Sequence, residues 1–183
     1  MSTPIIATIT DRDFGLTPKA FDNPRLRHGA RGIILNASGE IAILNKANKN
    51  EHKLIGGGIE AGEDPATAFA REALEESGCK LKDIQYLGII REEKSQDNFI
   101  QESHVFAARV AEDTGHLTLT EKETEEGSRL LWLTLDDALT KIKNCEDQLK
   151  PSKYEDVYHT KFIVRRDYAI LRHYQAITDQ PQP

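Results

Sequence analysis

The stretch that decides the fold runs from Gly57 to Cys79 and reads GGIEAGEDPATAFAREALEESGC. Its second half predicts a helix over Asp64–Ser77, because an acidic residue precedes Pro65 in the first turn, strong helix formers follow, and Gly78 provides a stop. The glycines that open the stretch remove side chains, so the backbone can approach another group closely. We therefore expect a glycine-rich site wall that leads into a helix of about four turns.

Three carboxylates share one face of this predicted helix. Glu72, Glu75 and Glu76 stand at i, i+3 and i+4 and so span an arc of about 100°, while Phe69 on the neighbouring face can anchor the helix on a sheet. Clustered carboxylates repel one another, and a divalent cation removes that conflict. All-oxygen ligands favour Mg²⁺ or Mn²⁺. The same pattern is also typical of a solvated helix face, on which Arg71 and Glu75 would form an ordinary i,i+4 pair.

The spacing of the surrounding residues decides between these two interpretations. Gly57 is followed after five residues by Glu63, and after seven more by the run REALEESGC at 71–79. This pattern has every fixed position of the Nudix box, so the chain resembles the Nudix hydrolase superfamily and its MutT-like members. The resemblance implies an α/β protein with the Nudix fold, a mixed β-sheet in an α/β/α sandwich whose core covers about residues 29–144.

The resemblance also implies an activity and a metal site. Such enzymes use Mg²⁺ or Mn²⁺ to hydrolyse a pyrophosphate bond in a nucleoside triphosphate or another small nucleoside diphosphate derivative. By resemblance, Glu72, Glu75 and Glu76 bind the metal with help from the backbone carbonyl of Gly56 or Gly57. A bound cation neutralises the phosphate oxygens and lowers the pKa of water, which is what hydrolysis of a polyanion requires.

Further roles follow from the same resemblance. Glu63 and Arg71 look like the buried pair that ties the glycine loop to the helix. The general base is either Glu72 or a glutamate of the acidic segment 121–127, where Glu126 is the first choice, ahead of Glu123 and Glu125. Lys46 is placed like the basic residue that contacts phosphate in MutT-like enzymes, although a solvated lysine is the common alternative.

Two other features bear on the substrate. Ile55 replaces the proline that often precedes the two glycines of the family, which leaves the loop less constrained in φ. No proline occurs between Pro65 and Pro151, so the proline signature of ADP-ribose pyrophosphatases is missing. Two alternatives to the nucleotide hydrolase therefore stay open: a Nudix module that binds a nucleotide as a sensor without turnover, and a pyrophosphohydrolase of a non-nucleotide substrate.

The rest of the chain predicts one mixed domain over residues 1–176. Alternating and apolar runs indicate a hairpin of strands 31–36 and 40–45 and later strands at 84–91, 99–110 and 129–135, while helical spacing covers 136–144 and about 156–174. The last of these helices carries basic and aromatic residues, and it either caps the site or is a plain surface helix docked by its tyrosines. The Gln/Pro-rich segment 177–183 predicts a disordered tail.

Composition limits the partners. The 183 residues contain 24 Lys+Arg against 30 Asp+Glu, a net charge of −6, which disfavours long nucleic acids but not a small nucleotide recruited through a metal. The only early apolar run, 4–9, is too short for a membrane span or a signal sequence. Two isolated cysteines fit a reducing compartment. We expect a cytoplasmic protein without membrane contact, for which a homodimer is allowed.

Overall fold

A single mixed sheet organises the molecule. The computed structural model describes residues 4–179, and within that range the sheet has seven strands in the spatial order β1-β5-β6-β2-β4-β3-β7. The strands are β1 (Ile5–Thr10), β2 (Arg25–Leu35), β3 (Ile41–Lys46), β4 (Glu51–Gly58), β5 (Cys79–Lys94), β6 (Phe99–Asp113) and β7 (Ser128–Leu133). The α-helices of the same range are α1 (Pro65–Ser77), α2 (Glu121–Glu125), α3 (Leu135–Cys145) and α4 (Val157–Thr178).

The sheet lies between two helical layers. On one face, α1 buries Phe69 and Ala73 in a cluster with apolar residues of β2, β3, β4 and β6. On the opposite face, α3 and α4 pack through residues such as Ile142 and Ile170 in a second cluster. Strand β2 runs parallel to β6 and antiparallel to β4, so the sheet is mixed. The predicted α/β/α sandwich is therefore confirmed.

The predicted hairpin between residues 31–36 and 40–45 is only partly formed. Its turn is present, since the backbone N–H of Asn36 donates to the Glu40 carbonyl at 3.0 Å, but β2 and β3 pair only at Leu35 and Ile41. Strand β4 lies between them and pairs with both. The hairpin prediction is wrong beyond the turn because β4 pairs with Gly29–Gly32 and so occupies the edge of β2 that β3 would use.

Helix α1 begins and ends as its sequence predicts. The Asp64 carboxylate caps the N-terminus by accepting the backbone N–H groups of Ala66 at 3.0 Å and Thr67 at 3.1 Å. Gly78 ends the helix in the left-handed region with φ of 70°, which a residue with a Cβ adopts only at a cost. These two caps fix the part of α1 that carries the glutamates.

Other elements differ from the expectations. Strand β1, which was not predicted, adds a parallel edge strand to β5. The acidic segment 121–127 contains helix α2 because the Thr120 side chain caps it by accepting the Glu123 N–H. Helix α4 continues through Ile177 and Thr178, two residues assigned to the disordered tail. Residues 180–183 of that predicted tail lie outside the described residues.

The C-terminal helix α4 completes the second core. The segment before it is held by an ion pair to a buried lysine. Residues of α4 with no exposed surface pack against the sheet: Phe162, Val164, Ile170 and Leu171. The Lys49 ammonium, after β3, lies 2.7 Å from carboxylate oxygens of both Glu51 and Glu155. No helix of the described range has the length and apolar character that a membrane crossing needs.

Candidate active site

A charged cavity of about 880 Å³ opens beside the glycines that precede α1. Its walls come from β2, β4, α1, α2 and the segment that leads into α4. Both signs of charge line it, although the chain as a whole is acidic. Its charged lining residues include Arg25, Arg27, Arg31, Lys53, Glu72, Glu75, Glu76 and Glu123.

The glycines of β4 allow close approach from both sides of the strand. Gly56 has φ of +143°, and a Cβ there would meet the Ala30 carbonyl oxygen at 2.4 Å. At Gly57, a Cβ would lie 2.4 Å from a carboxylate oxygen of Glu72. The backbone of Gly57 thus sits directly against a side chain of α1, so the predicted glycine wall and helix face meet at the cavity.

Arg71 ties the glycine loop to α1. Its Nε and Nη2 atoms donate to the two carboxylate oxygens of Glu63, each at 3.0 Å, and Nη2 also donates to the Gly58 carbonyl at 2.9 Å. The Glu63 carboxylate has a lowered pKa, chiefly through the hydrogen bonds from this guanidinium. Such a bidentate pair fixes geometry as well as charge. The two residues therefore act on the position of the loop.

The three glutamates of α1 all line the cavity but differ in exposure. Glu75 is 42% exposed and Glu72 is 14% exposed, and both accept from Arg71 Nη1, at 3.2 Å and 2.8 Å. Glu76 is buried. Across residues 4–179, no three His, Cys, Asp or Glu side chains are grouped closely enough to hold an ion in this geometry. Each glutamate is instead paired with a cationic side chain.

Glu76 is held by Lys53, a residue that the sequence analysis did not single out. The Lys53 ammonium donates to Glu76 Oε1 at 2.8 Å and to the Gly56 carbonyl at 3.2 Å, while the Gly56 N–H donates to Glu76 Oε2 at 2.8 Å. Burial raises the pKa of Glu76 to about 7, against the opposing effect of Lys53. The Lys53 ammonium thus bridges a carboxylate oxygen of Glu76 and the backbone carbonyl of Gly56.

Glu123 and Glu126 lie on different sides of α2. The Glu123 carboxylate lines the cavity. Burial alone would raise its pKa, but the hydrogen bonds from Thr120 help to lower it. Glu126 instead accepts from the Lys46 ammonium and from the Ser152 hydroxyl, both at 2.7 Å. The two residues predicted as general base and phosphate contact are therefore paired with each other.

A second group of charges joins β5 to α4, and two of its members, Lys94 and Arg166, also line the cavity. Glu92 is fully buried and accepts from Lys94 at 2.8 Å and from Arg166 at 3.2 Å, and Arg166 also donates to Asp167 at 2.7 Å. The Asp167 carboxylate accepts the backbone N–H of Leu54. At this point of β4, pairing with β3 ends and pairing with β2 begins. Helix α4 therefore supports the cavity through buried ion pairs, which the alternative of a plain surface helix did not foresee.

The signals for the missed residues were present but weak. The arginines at 25, 27 and 31 follow the period of two that places them on one face of a strand. A lysine at position 53, directly before the apolar pair Leu54 and Ile55, is a weak sign of a buried charge, which needs a partner. Neither signal names the partner, because that depends on contacts between segments far apart in sequence.

The sequence was compared with known families and structures. The NUDIX domain model matches residues 25–153, while a search of curated proteins found no significant match. A NUDIX hydrolase from Nitrosomonas europaea is similar in structure, with a TM-score of 0.54, 16% identity, and coverage of 79% of this chain and 93% of that one. The E. coli ORF135 protein has a TM-score of 0.53 and 20% identity, with 87% and 96% covered. Since the matched segment spans well over half of the sequence, the chain belongs to the NUDIX family.

Proposed function

We propose that this NUDIX protein uses Mg²⁺ or Mn²⁺ to hydrolyse a pyrophosphate bond in a nucleoside triphosphate or another small nucleoside diphosphate derivative. The observation that carries the proposal is that Glu76 Oε1 and the Gly56 carbonyl both accept from the Lys53 ammonium, in a cavity that Glu72 and several arginine and lysine side chains also line. Acidic oxygens for a cation, beside basic groups for phosphate, suit this chemistry.

The donor atoms fit a hard divalent cation. An ammonium already bridges Glu76 Oε1 and the Gly56 carbonyl, so both oxygens point at one place a cation can occupy. Glu72, Glu75 and Glu76, with the carbonyl of Gly56 or Gly57, would hold the ion. Once bound, it would supply positive charge to the phosphate oxygens and make a water molecule more acidic. Lys53 must then give up its contacts, and it can turn toward the phosphate.

We assign activation of the attacking water to Glu123. A general base has to be ionised and within reach of the water. Thr120 supports the ionised form, since its backbone N–H and its hydroxyl both donate to Glu123 Oε2 at 2.8 Å. Glu126 was the first choice from the sequence, but its carboxylate is occupied by Lys46 and Ser152. We therefore assign the role of general base to Glu123, about one helical turn before Glu126.

The test is a panel of nucleoside triphosphates, nucleotide sugars and dinucleoside polyphosphates with Mg²⁺ or Mn²⁺, with product masses that identify the broken bond. Glu123→Gln removes the base while keeping the shape, so we expect kcat to fall about 10²- to 10⁴-fold. Glu121→Gln is the matched control, because Glu121 lies on the same short helix but is exposed and outside the cavity lining.

The same assay, extended to an inositol pyrophosphate and an isoprenoid pyrophosphate, separates the alternatives. Binding of nucleotides without any turnover would support a sensor module in place of an enzyme. Turnover of an inositol or isoprenoid pyrophosphate, with none of the nucleotides, would support the non-nucleotide hydrolase. Loss of activity in Glu121→Gln equal to that in Glu123→Gln would refute the assignment of the base.

We also propose that the protein works in the cytoplasm. Cys79 and Cys145 are both free and buried, and burial raises the pKa of each thiol. Thiols of this kind are unreactive and do not depend on an oxidising compartment.

A further inference from the structure

Three arginines of β2 line a part of the cavity for which the proposed metal site and general base have no use. Arg25, Arg27 and Arg31 stand at odd positions of the strand and therefore point to one face of the sheet. Gly29 occupies the position between them, and a Cβ there would lie 3.2 Å from a nitrogen of Arg31. The missing side chain lets the Arg31 guanidinium lie along the strand. We call these three residues the β2 arginine row.

The β2 arginine row has no acidic partner within residues 4–179. The arginine ion pairs of that range belong to Arg71, Arg91, Arg165 and Arg166. Arg31 is only 4% exposed, and its side-chain hydrogen bond goes to the neutral Ser103 hydroxyl at 3.1 Å. Burial, together with the nearby charge of Arg166, lowers the pKa of Arg31 to about 10, against the opposing effect of Asp167, Glu92 and Glu76. Arg25 and Arg27 are exposed at the cavity without an ion-pair partner among the described residues, so their guanidinium groups are available to an anionic ligand.

The neighbouring strand presents neutral polar groups on the same face. In the parallel ladder, Arg27 is aligned with Gln101 and Gly29 with Ser103. Both Gln101 and Ser103 are buried, and the Gln101 amide donates to the Ser103 hydroxyl at 3.3 Å. An amide and a hydroxyl beside guanidinium groups add hydrogen-bond donors without adding negative charge.

The aromatic groups of the cavity lining are already engaged. Arg25 lies 4.3 Å and Lys94 lies 5.3 Å from the centre of the Phe99 ring. The Tyr154 hydroxyl donates to Glu125 at 3.1 Å, and Lys153 lies over its ring. Cationic side chains therefore already lie over the rings of both Phe99 and Tyr154.

The β2 arginine row continues directly from the box glutamates. Gly57 has the Glu72 carboxylate against it, whereas a Cβ at the next residue, Gly58, would lie 2.8 Å from an Arg27 nitrogen. At about 3.3 Å per residue, the row from Arg25 to Arg31 extends over roughly 20 Å. This length exceeds one phosphate group, so the row is long enough to reach beyond the two phosphates of the cleaved bond.

We infer that the β2 arginine row binds a further phosphate group of the substrate, in addition to the pyrophosphate that is cleaved. The inference rests on the proposed hydrolase function and narrows its substrate class to compounds with at least one phosphate beyond the two that flank the broken bond. Guanidinium groups bind phosphate through paired, charge-assisted hydrogen bonds. The extra phosphate belongs either to a longer phosphate chain or to the non-reacting part of the molecule.

Matched substrates test this inference. ATP and ADP differ in chain length, whereas NADPH and NADH, and coenzyme A and its 3′-dephospho form, differ in one distant phosphate. In at least one of these substrate pairs, the wild-type kcat/KM should be at least about tenfold higher for the member that carries the extra phosphate. The double variant Arg25→Gln/Arg27→Gln should bring that ratio close to one. Arg109→Gln removes an exposed charge of β6 outside the cavity lining and should leave it unchanged.

A binding measurement keeps the inference testable without turnover. Titration calorimetry with inorganic tripolyphosphate in EDTA should show binding that weakens about 10- to 100-fold in the double variant. If binding depends on the row but no nucleotide is hydrolysed, the proposed function fails and the phosphate site stands. If hydrolysis occurs while the double variant changes neither the substrate ratio nor tripolyphosphate binding, the row has no such role and the inference is overturned.

Discussion

Two alanine substitutions at adjacent glycines should have opposite effects on folding and activity. In Gly57→Ala the new Cβ would lie 2.4 Å from a Glu72 carboxylate oxygen, where ordinary contacts begin at 3.4 Å. The carboxylate therefore has to move by about 1 Å, and it can do so because it is the free end of a flexible side chain. Displacement of a reacting group by about 1 Å lowers turnover about 10²-fold.

Folding should survive that change. Gly57 has no left-handed φ, so alanine fits its backbone and reduces the entropy of the unfolded chain. We expect the free energy of unfolding to stay within about 1 kcal/mol of the wild type.

Gly56→Ala is the matched control with the reverse outcome. Its φ of +143° and its 2.4 Å approach to the Ala30 carbonyl oxygen involve backbone that cannot move aside. Backbone strain and overlap together should lower the free energy of unfolding by about 3 kcal/mol.

The assay combines urea denaturation with steady-state kinetics on whichever nucleotide the panel identifies. The reasoning is refuted if Gly57→Ala keeps wild-type kcat, since a displaced Glu72 would then not matter. It is also refuted if Gly57→Ala unfolds as easily as Gly56→Ala, because the clash would then fall on the backbone.

Three further predictions concern buried charges. Glu126→Gln leaves Lys46 without its buried partner and should lower the free energy of unfolding by about 3 kcal/mol in urea denaturation; an unchanged midpoint would contradict this ion-pair role. Burial alone would raise the pKa of Glu155, but Lys49 lowers it to about 2, so this carboxylate stabilises the fold fully above its ordinary value of 4.5, and the contribution disappears as pH falls from there to about 2. Acid titration of Glu155→Gln should show a smaller slope in that window, and an identical slope would count against the pair. Lys53→Met removes the ammonium from two oxygens of the site, so Mn²⁺ measured by electron paramagnetic resonance at pH 8 should bind at least about tenfold tighter, and weaker binding would mean that the lysine supports the metal.

Local sequence was sufficient for α1 and its glutamates. The signals for that helix, Asp64 at its start and Gly78 at its end, act within a few residues, and the helical period places the carboxylates on one face without reference to the rest of the chain. Strand neighbours are different, because β4 pairs with β2 and β3 through contacts that no local pattern encodes.

The choice of a candidate general base shows the same limit of local sequence at a single residue. Counting back along the chain favours Glu126, but a capped helical turn begins after Thr120 and directs Glu123 and Glu126 to different partners. The charge of Lys53 was visible in the sequence, whereas its pairing with Glu76, 23 positions away, depends on how α1 docks on β4.

The ion pair between Lys49 and Glu155 has a consequence for where this domain can be cut. The family match ends at residue 153, two residues before the carboxylate that neutralises a lysine with 1% of its side chain exposed. The helix that follows supplies apolar side chains to the centre of the core. The segment that the family model matches is therefore shorter than the unit that folds: a chain cut at residue 153 would lose one of the two carboxylates that lie 2.7 Å from Lys49, together with the apolar side chains that α4 packs on the sheet.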